Sequence, residues 1–203
     1  MLAEIRTGII TSSDGAVNPG RADKTGAMLT SDAHGRYMEA VYRGNCYFAA
    51  NQAAVTFSVG LTTTTAVGLI LTNPTSSGKI VVPLQVEYAN NSVIVGVVGI
   101  SVQPYSATAV TQTTALTVRN AYVEGPYSNT GIGLASSGVT LALAPVAVKL
   151  LYSVLSTNTA VISQATVYDI GGSMILAPGT ALAVLATAAT TGLAGILWEE
   201  QPI

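Results

Sequence analysis

The stretch Ala181-Leu182-Ala183-Val184-Leu185-Ala186 is apolar at every position. Turn formers bound it, since Pro178-Gly179 precedes it and Thr190-Thr191-Gly192 follows it. A short apolar run between turn signals predicts a buried strand. An antiparallel strand normally keeps one face in water, so we expect an unusual second cover on this one. An N-terminal arm, a long loop or a neighbouring subunit could supply that cover.

Similar short runs of Val, Thr, Ile, Leu, Ala and Tyr fill most of the chain after residue 50, separated by Gly, Pro, Asn and Ser. This composition is typical of strands. Many short strands and no fixed-period repeat predict an all-β fold with a jelly-roll-like β-sandwich body. The predicted strands are Val55–Val59, Ala66–Thr72, Lys79–Ala89, Ser92–Gln103, Ala115–Val123, Val139–Ala144, Val146–Leu155, Ala160–Ile170, Ser173–Leu176, Ala181–Thr187 and Leu193–Glu199.

Two local features refine this prediction. The turn-forming segment Asn73–Gly78 lies between aliphatic stretches, Leu69–Thr72 and Lys79–Val82, which predicts a β-hairpin. Within the second stretch, Pro83 has no amide hydrogen to donate. A proline in a strand favours an edge or a bulge.

Charged residues are concentrated near the N-terminus. Ten of the 18 Lys, Arg, Asp and Glu residues lie within positions 1–50, together with several turn dipeptides and little hydrophobic periodicity. We therefore expect two parts: an extended N-terminal arm over residues 1–50 and a β-sandwich domain over residues 51–203.

The overall composition is unusual for a protein surrounded by water. Hydrophobic residues make up 49% of the chain and charged residues only 9%, against about a quarter in ordinary soluble domains. Low charge promotes association, so we expect much of the surface to contact protein, in a homo-oligomer (a dimer or a trimer) or a larger assembly. The net charge of -2 indicates no direct nucleic-acid binding.

A membrane role is not expected either. The long uncharged stretch from Ile170 to Trp198 is interrupted by glycines, a proline and threonines, which favours short strands over one membrane-spanning helix. The first residues, Met1–Arg6, lack the basic start and apolar run of a signal peptide, so we expect synthesis and folding in a cytoplasm.

No catalytic constellation is recognisable, so we expect no enzyme activity, no cofactor and no metal. His34 is the one histidine and lies in a loop with Asp32; Cys46 is the one cysteine and lies beside aromatic residues, as a buried packing residue would. The adjacent Glu199 and Glu200 should point to opposite faces of a strand and so not act as a pair. We expect Trp198 to be a half-buried anchor.

The tyrosines suggest a contact surface. Nine are present, and Tyr105 and Tyr127 lie in two long predicted loops, Pro104–Thr114 and Gly125–Gly138. Tyrosine combines an apolar ring with a polar tip, which suits protein interfaces and also allows a sugar to stack on the ring. An interface is the favoured interpretation.

Three stretches together resemble virion structural proteins of tailed bacteriophages, above all the small β-sandwich cement or decoration proteins that coat capsids. They are RADKTGAMLTSDAHGRYMEA (residues 21–40), LTNPTSSGK (71–79) and GGSMILAPGTA (171–181) followed by ILWEE (196–200). The resemblance implies a protein of the virion, made in the host cytoplasm, that binds the major capsid protein and its own copies. It implies no catalytic residues.

On this hypothesis the N-terminal arm clamps capsid subunits, with Arg21, Asp23, Lys24 and Arg36 as polar anchors at the capsid interface. The alternative is a phage tail, fibre or baseplate module that binds a host glycan. That alternative predicts saccharide binding that depends on Tyr105 or Tyr127, and a trimer in solution.

Overall fold

The chain divides into two compact units in a computed structural model that describes residues 4–7, 16–19, 35–91, 95–155 and 165–203. The first unit is Met1–Met38. Its strands β1 (Glu4–Thr7) and β2 (Ala16–Pro19) pair in antiparallel fashion, with Glu4 opposite Pro19. The second unit is Glu39–Ile203.

A five-residue helix, α1 (Met38–Tyr42), precedes the strands of the second unit. Among the described residues, no helix has the length and apolar character needed to cross a membrane. The described strands of the second unit are β3 (Cys46–Ala50), β4 (Val55–Thr56), β5 (Thr65–Thr72), β6 (Lys79–Asn90), β7 (Val95–Gln103), β8 (Thr111–Ala115), β9 (Arg119–Asn120), β10 (Leu134–Thr140), β11 (Val146–Leu155), β12 (Ala165–Asp169), β13 (Ala181–Ala186) and β14 (Thr191–Pro202).

These strands form two antiparallel sheets. The first sheet has the order β11-β7-β13-β5-β10-β8, and the second has the order β12-β6-β14-β3-β9, with β4 also paired to β14. One apolar cluster draws side chains from both sheets, including Leu182 and Val184 from the first and Val86 and Trp198 from the second. The predicted all-β sandwich is confirmed.

Strand β13 is covered on both faces, as its sequence predicts. It lies between β7 and β5 in the first sheet, and all six of its residues are buried. Leu182, Val184 and Ala186 belong to the cluster between the sheets, whereas Ala181, Ala183 and Leu185 belong to a second cluster. Leu61 and Val110, which lie outside the strands, pack against that second cluster. Loops of the same chain therefore contribute the second cover.

The predicted hairpin at Asn73–Gly78 is wrong, because β5 and β6 belong to different sheets. The connector instead crosses from one sheet to the other. Asn73 is fully buried there, and its side-chain amide donates hydrogen bonds to the carbonyls of Lys79 (2.8 Å) and Leu176 (2.9 Å). Turn residues predict only that the chain changes direction. Strands that are distant in sequence decide how the two flanking strands pair: β6 pairs with β14, and β5 pairs with β10 and β13.

The boundary between the two parts also differs from the prediction at residue 50. The compact second unit begins at Glu39, and β3, which the sequence analysis assigned to the arm, is a strand of the second sheet. Its Cys46, Tyr47 and Ala49 are buried, and the strand pairs with β14. The charge distribution misplaced the boundary because a five-residue strand next to the polar zone changes the composition very little.

Pro83 lies at a bulge, one of the two settings expected for it. The register of β6 against β14 shifts there, with Leu197 opposite Gln85 but Trp198 opposite Pro83. Along β6, Val81 contributes to the core before the bulge and Val86 and Tyr88 contribute after it, so the inward face changes from odd to even positions.

Two strands lie partly in segments that the sequence predicts as loops. Strand β8 begins at Thr111 and β10 begins at Leu134. The β8 sequence, TQTTA, lacks apolar alternation because most of this edge strand is exposed. Conversely, the predicted strand Ser173–Leu176 is reduced to one bridge between Leu176 and Val81.

Candidate interaction surfaces

Of the four predicted polar anchors, Arg21, Asp23 and Lys24 lie outside the described residues. Arg36 is described and exposed, and its guanidinium carbon lies 5.3 Å from the ring centre of Tyr37. The predicted role of these four residues in capsid contact remains a prediction.

The residues considered for chemistry take structural positions. In the described ranges, no three His, Cys, Asp or Glu side chains are grouped closely enough to hold a metal ion. His34 lies outside those ranges. Burial, and secondarily the charge of Glu199, raises the pKa of the Cys46 thiol from 9.0 to about 12. Cys46 therefore keeps its proton at neutral pH, and the protonated thiol is not a nucleophile.

Glu200 has a buried carboxylate that connects the loop at Gly133 to the last strand, β14, through hydrogen bonds. Its Oε1 accepts hydrogen bonds from the Gly133 backbone amide (2.8 Å) and the Trp198 indole (3.3 Å), and its Oε2 lies 3.2 Å from Lys79 Nζ. Neighbouring Glu199 is half-buried and accepts a bond from Gln201 at 3.0 Å. The two carboxylates thus make separate contacts, as strand alternation predicts.

Trp198 is buried more deeply than predicted. Its exposed fraction is 0%, whereas the sequence suggested a half-buried anchor. The ring stacks on Tyr47, with 6.0 Å between ring centres, and lies beside Gly133. The loop that carries Gly133 comes from a distant part of the chain, which explains why the position near the C-terminus misled the prediction.

Exposed aliphatic side chains lie on two edge strands, one from each sheet. On β11, Val146 and Leu150 are 60% and 67% exposed, and Val148 is also exposed; on β12, Val167 is 60% exposed. The two strands lie near each other, with Lys149 Nζ 5.7 Å from the Tyr168 ring centre. Leu150 and Val167 alternate with these two residues and therefore point away from that contact, on the outer faces of different sheets. We call the three exposed residues of β11, Val146, Val148 and Leu150, the edge-strand surface. Grouped apolar side chains of this kind are typical of contact surfaces.

Three exposed tyrosines form a second feature. The ring centres of Tyr42 and Tyr122 are 6.1 Å apart, and those of Tyr122 and Tyr127 are 6.0 Å apart. Each ring keeps between 37% and 44% of its residue surface exposed. Gly44 makes this packing possible, because its φ is +74° and a Cβ there would collide with the Tyr127 ring. We call these three residues the tyrosine cluster.

A polar groove of about 190 Å³ is built partly from the loop that carries Tyr122 and Tyr127. Asn120 organises it, because its side-chain amide donates to Gly44 O (2.8 Å) and its Oδ1 accepts from the Tyr122 backbone amide (2.8 Å). The groove residues are Phe48, Arg119, Asn120, Val123, Glu124 and Asn129. Aromatic faces beside amide and charged groups suit a ligand with both apolar faces and hydroxyl groups.

Tyr105, the other loop tyrosine singled out in the sequence, is 65% exposed and its ring lies against Gly179. The sequence thus identified Tyr105 and Tyr127 as exposed, but not the grouping of Tyr127 with Tyr42 and Tyr122. That grouping joins residues about 80 positions apart, and no spacing rule predicts such a contact.

Comparisons with protein families, with curated proteins and with solved structures found no match for this chain.

Proposed function

We propose that this protein decorates and stabilises a bacteriophage capsid as a cement protein, by binding the major capsid protein and its own copies. The edge-strand surface is the observation that carries the proposal. Its three aliphatic residues are open to water in a chain with only 9% charged residues. Covering them with protein removes apolar surface from water, which contributes about 25 cal/mol for each Å².

The contact would combine two elements. The N-terminal unit, with Arg21, Asp23, Lys24 and Arg36 as polar anchors, binds the capsid, and the edge-strand surface supplies apolar contact. Each contact is small, but many copies on a lattice make weak contacts collectively strong. The protein would then reside in the virion after synthesis in the host cytoplasm.

The decisive measurement is co-sedimentation with capsids that lack this protein. We expect the wild type to bind and removal of residues 1–38 to abolish binding. Leu150→Asp should weaken the affinity at least about tenfold, as the loss of one well-packed contact does. The deletion ends where the compact second unit begins, at Glu39. The matched control is Thr111→Asp, an exposed position on β8 at the opposite edge of the same sheet. Undiminished binding by both the deletion and Leu150→Asp would refute the proposal.

A second candidate function is favoured by the tyrosine cluster and the polar groove: a tail, fibre or baseplate module that binds a host glycan. Exposed aromatic faces can stack on the apolar faces of a sugar, while Arg119, Asn129 and Glu124 offer hydrogen-bonding groups in the groove, which Phe48 also lines.

A glycan array distinguishes this candidate from the first. If a saccharide binds, Tyr127→Ala should lower its affinity about tenfold, because a stacked ring is lost. Tyr105→Ala is the matched control, since it removes an exposed tyrosine that is not part of the cluster. No saccharide binding by wild type, or equal losses in the two variants, counts against the cluster as a glycan site.

A further inference from the structure

The sheet edges in the described structure differ in how well they are protected against pairing with another chain. Strand β11 has two register shifts and carries Lys149, and β8 also has two register shifts. Strands β4 and β9 have two residues each. Bulges, lysines and short length are the usual ways to protect an edge. Strand β12 has no bulge and no lysine: its five residues, Ala165–Asp169, pair with β6 without a shift, and its one charged residue, Asp169, lies at the end of the strand.

The backbone direction of β12 follows from its pairing. The Ile170 amide, next along the chain, donates to Leu84 O of β6 at 2.8 Å. Hydrogen-bonding groups alternate in direction along an antiparallel strand. The amide and carbonyl groups of Ala165 and Val167 therefore point away from β6, toward the side of β12 on which no described strand pairs. The Val167 side chain is also 60% exposed.

We propose that a second copy of this chain pairs with β12 through its own β12, antiparallel and about a twofold axis at Val167. The sequence Ala165-Thr166-Val167-Tyr168-Asp169 is compatible with pairing to itself in this register. Val167 then faces its copy, Thr166 faces Tyr168, and Ala165 faces Asp169. The second sheets of the two copies become one continuous sheet across the dimer.

Charges do not oppose this pairing. The two Asp169 residues lie at opposite ends of the paired strands, about 13 Å apart at 3.3 Å for each residue. That separation exceeds the screening length of about 8 Å at physiological salt. The pairing also places Val167 beside its copy, while the edge-strand surface on β11 remains available to another partner.

The pairing rests on the proposed function, because it specifies how copies of the protein contact each other. Its test uses the isolated full-length protein without capsids. Light scattering after size exclusion should give twice the chain mass of 20.6 kDa for wild type. Val167→Lys should raise the dimer dissociation constant at least about a hundredfold, because two lysines would meet at the axis of the strand pair. Val148→Lys makes the same exchange at an exposed position of β11, the edge strand with two register shifts, and should leave the dimer unchanged.

A thiol cross-link checks the register. Paired residues at the axis have Cα atoms about 5.5 Å apart, so Val167→Cys should form a covalent dimer with a short bifunctional thiol reagent and Val148→Cys should not. Cys46 is buried and protonated, so it should not compete. A monomeric or trimeric wild type, or a Val167→Lys dimer of unchanged affinity, overturns the pairing. Those results leave the capsid proposal to its own sedimentation test.

Discussion

Replacing Trp198 with alanine is expected to lower the free energy of unfolding by about 4 kcal/mol, within the range for large aromatic-to-alanine changes in cores. The side chain is fully buried in the cluster between the two sheets and stacks on Tyr47. Alanine would leave a cavity lined by residues of β3, β14 and the loop at Gly133, and rigid strands cannot collapse into it.

Urea unfolding followed by far-ultraviolet circular dichroism measures this loss, because Trp198 is the one tryptophan in the chain and fluorescence would disappear with it. Tyr122→Ala is the control: this ring is 37% exposed, and we expect a loss below about 1.5 kcal/mol. If Trp198→Ala cost no more than Tyr122→Ala, the assignment of Trp198 to the core would be contradicted.

The second large effect is expected from Glu200→Ala, at about 3 kcal/mol of unfolding free energy, since two donors lose their acceptor. The Gly133 amide and the Trp198 indole both donate to Glu200 Oε1 in a site closed to water. Alanine offers no acceptor, and the space that it leaves at this buried position contains no other group to accept the two bonds. The Lys79 contact adds little, because the lysine side chain is 38% exposed and partly exposed ion pairs contribute about 0–1 kcal/mol.

Two matched variants separate the loss of the hydrogen-bond acceptor from the loss of the negative charge at Glu200. Glu200→Gln keeps an acceptor oxygen for both donors, removes the charge and replaces the oxygen that faces Lys79 with an amide NH2 group, so it should cost about 1 kcal/mol. Glu199→Ala removes a half-buried carboxylate from the adjacent position and should change stability by less than about 0.5 kcal/mol. A Glu200→Gln loss equal to that of Glu200→Ala would show that the charge, and not the hydrogen bonding, stabilises the loop.

Part of the candidate surface could be predicted from sequence. Loop composition identified Tyr105 and Tyr127 as exposed, and low charge predicted apolar contact surface. The edge-strand surface itself could not be located, because the residues around Val146, Val148 and Leu150 do not reveal whether another segment of the chain covers them. On β13, Leu61 and Val110 help to cover the second face, and no sequence rule identifies such distant residues.

Local chemistry alone determined the all-β class, the covered strand Ala181–Ala186 and the buried thiol of Cys46, and it limited Pro83 to an edge or a bulge. Each depends on properties of neighbouring residues: alternation, β-branching, a missing amide hydrogen. Tertiary structure alone decided that Asn73–Gly78 connects two sheets, that β3 joins the body, that Trp198 is fully enclosed and that three tyrosines meet. These outcomes depend on which distant strands pair, and that choice is governed by the free energy of burying whole sheet faces together.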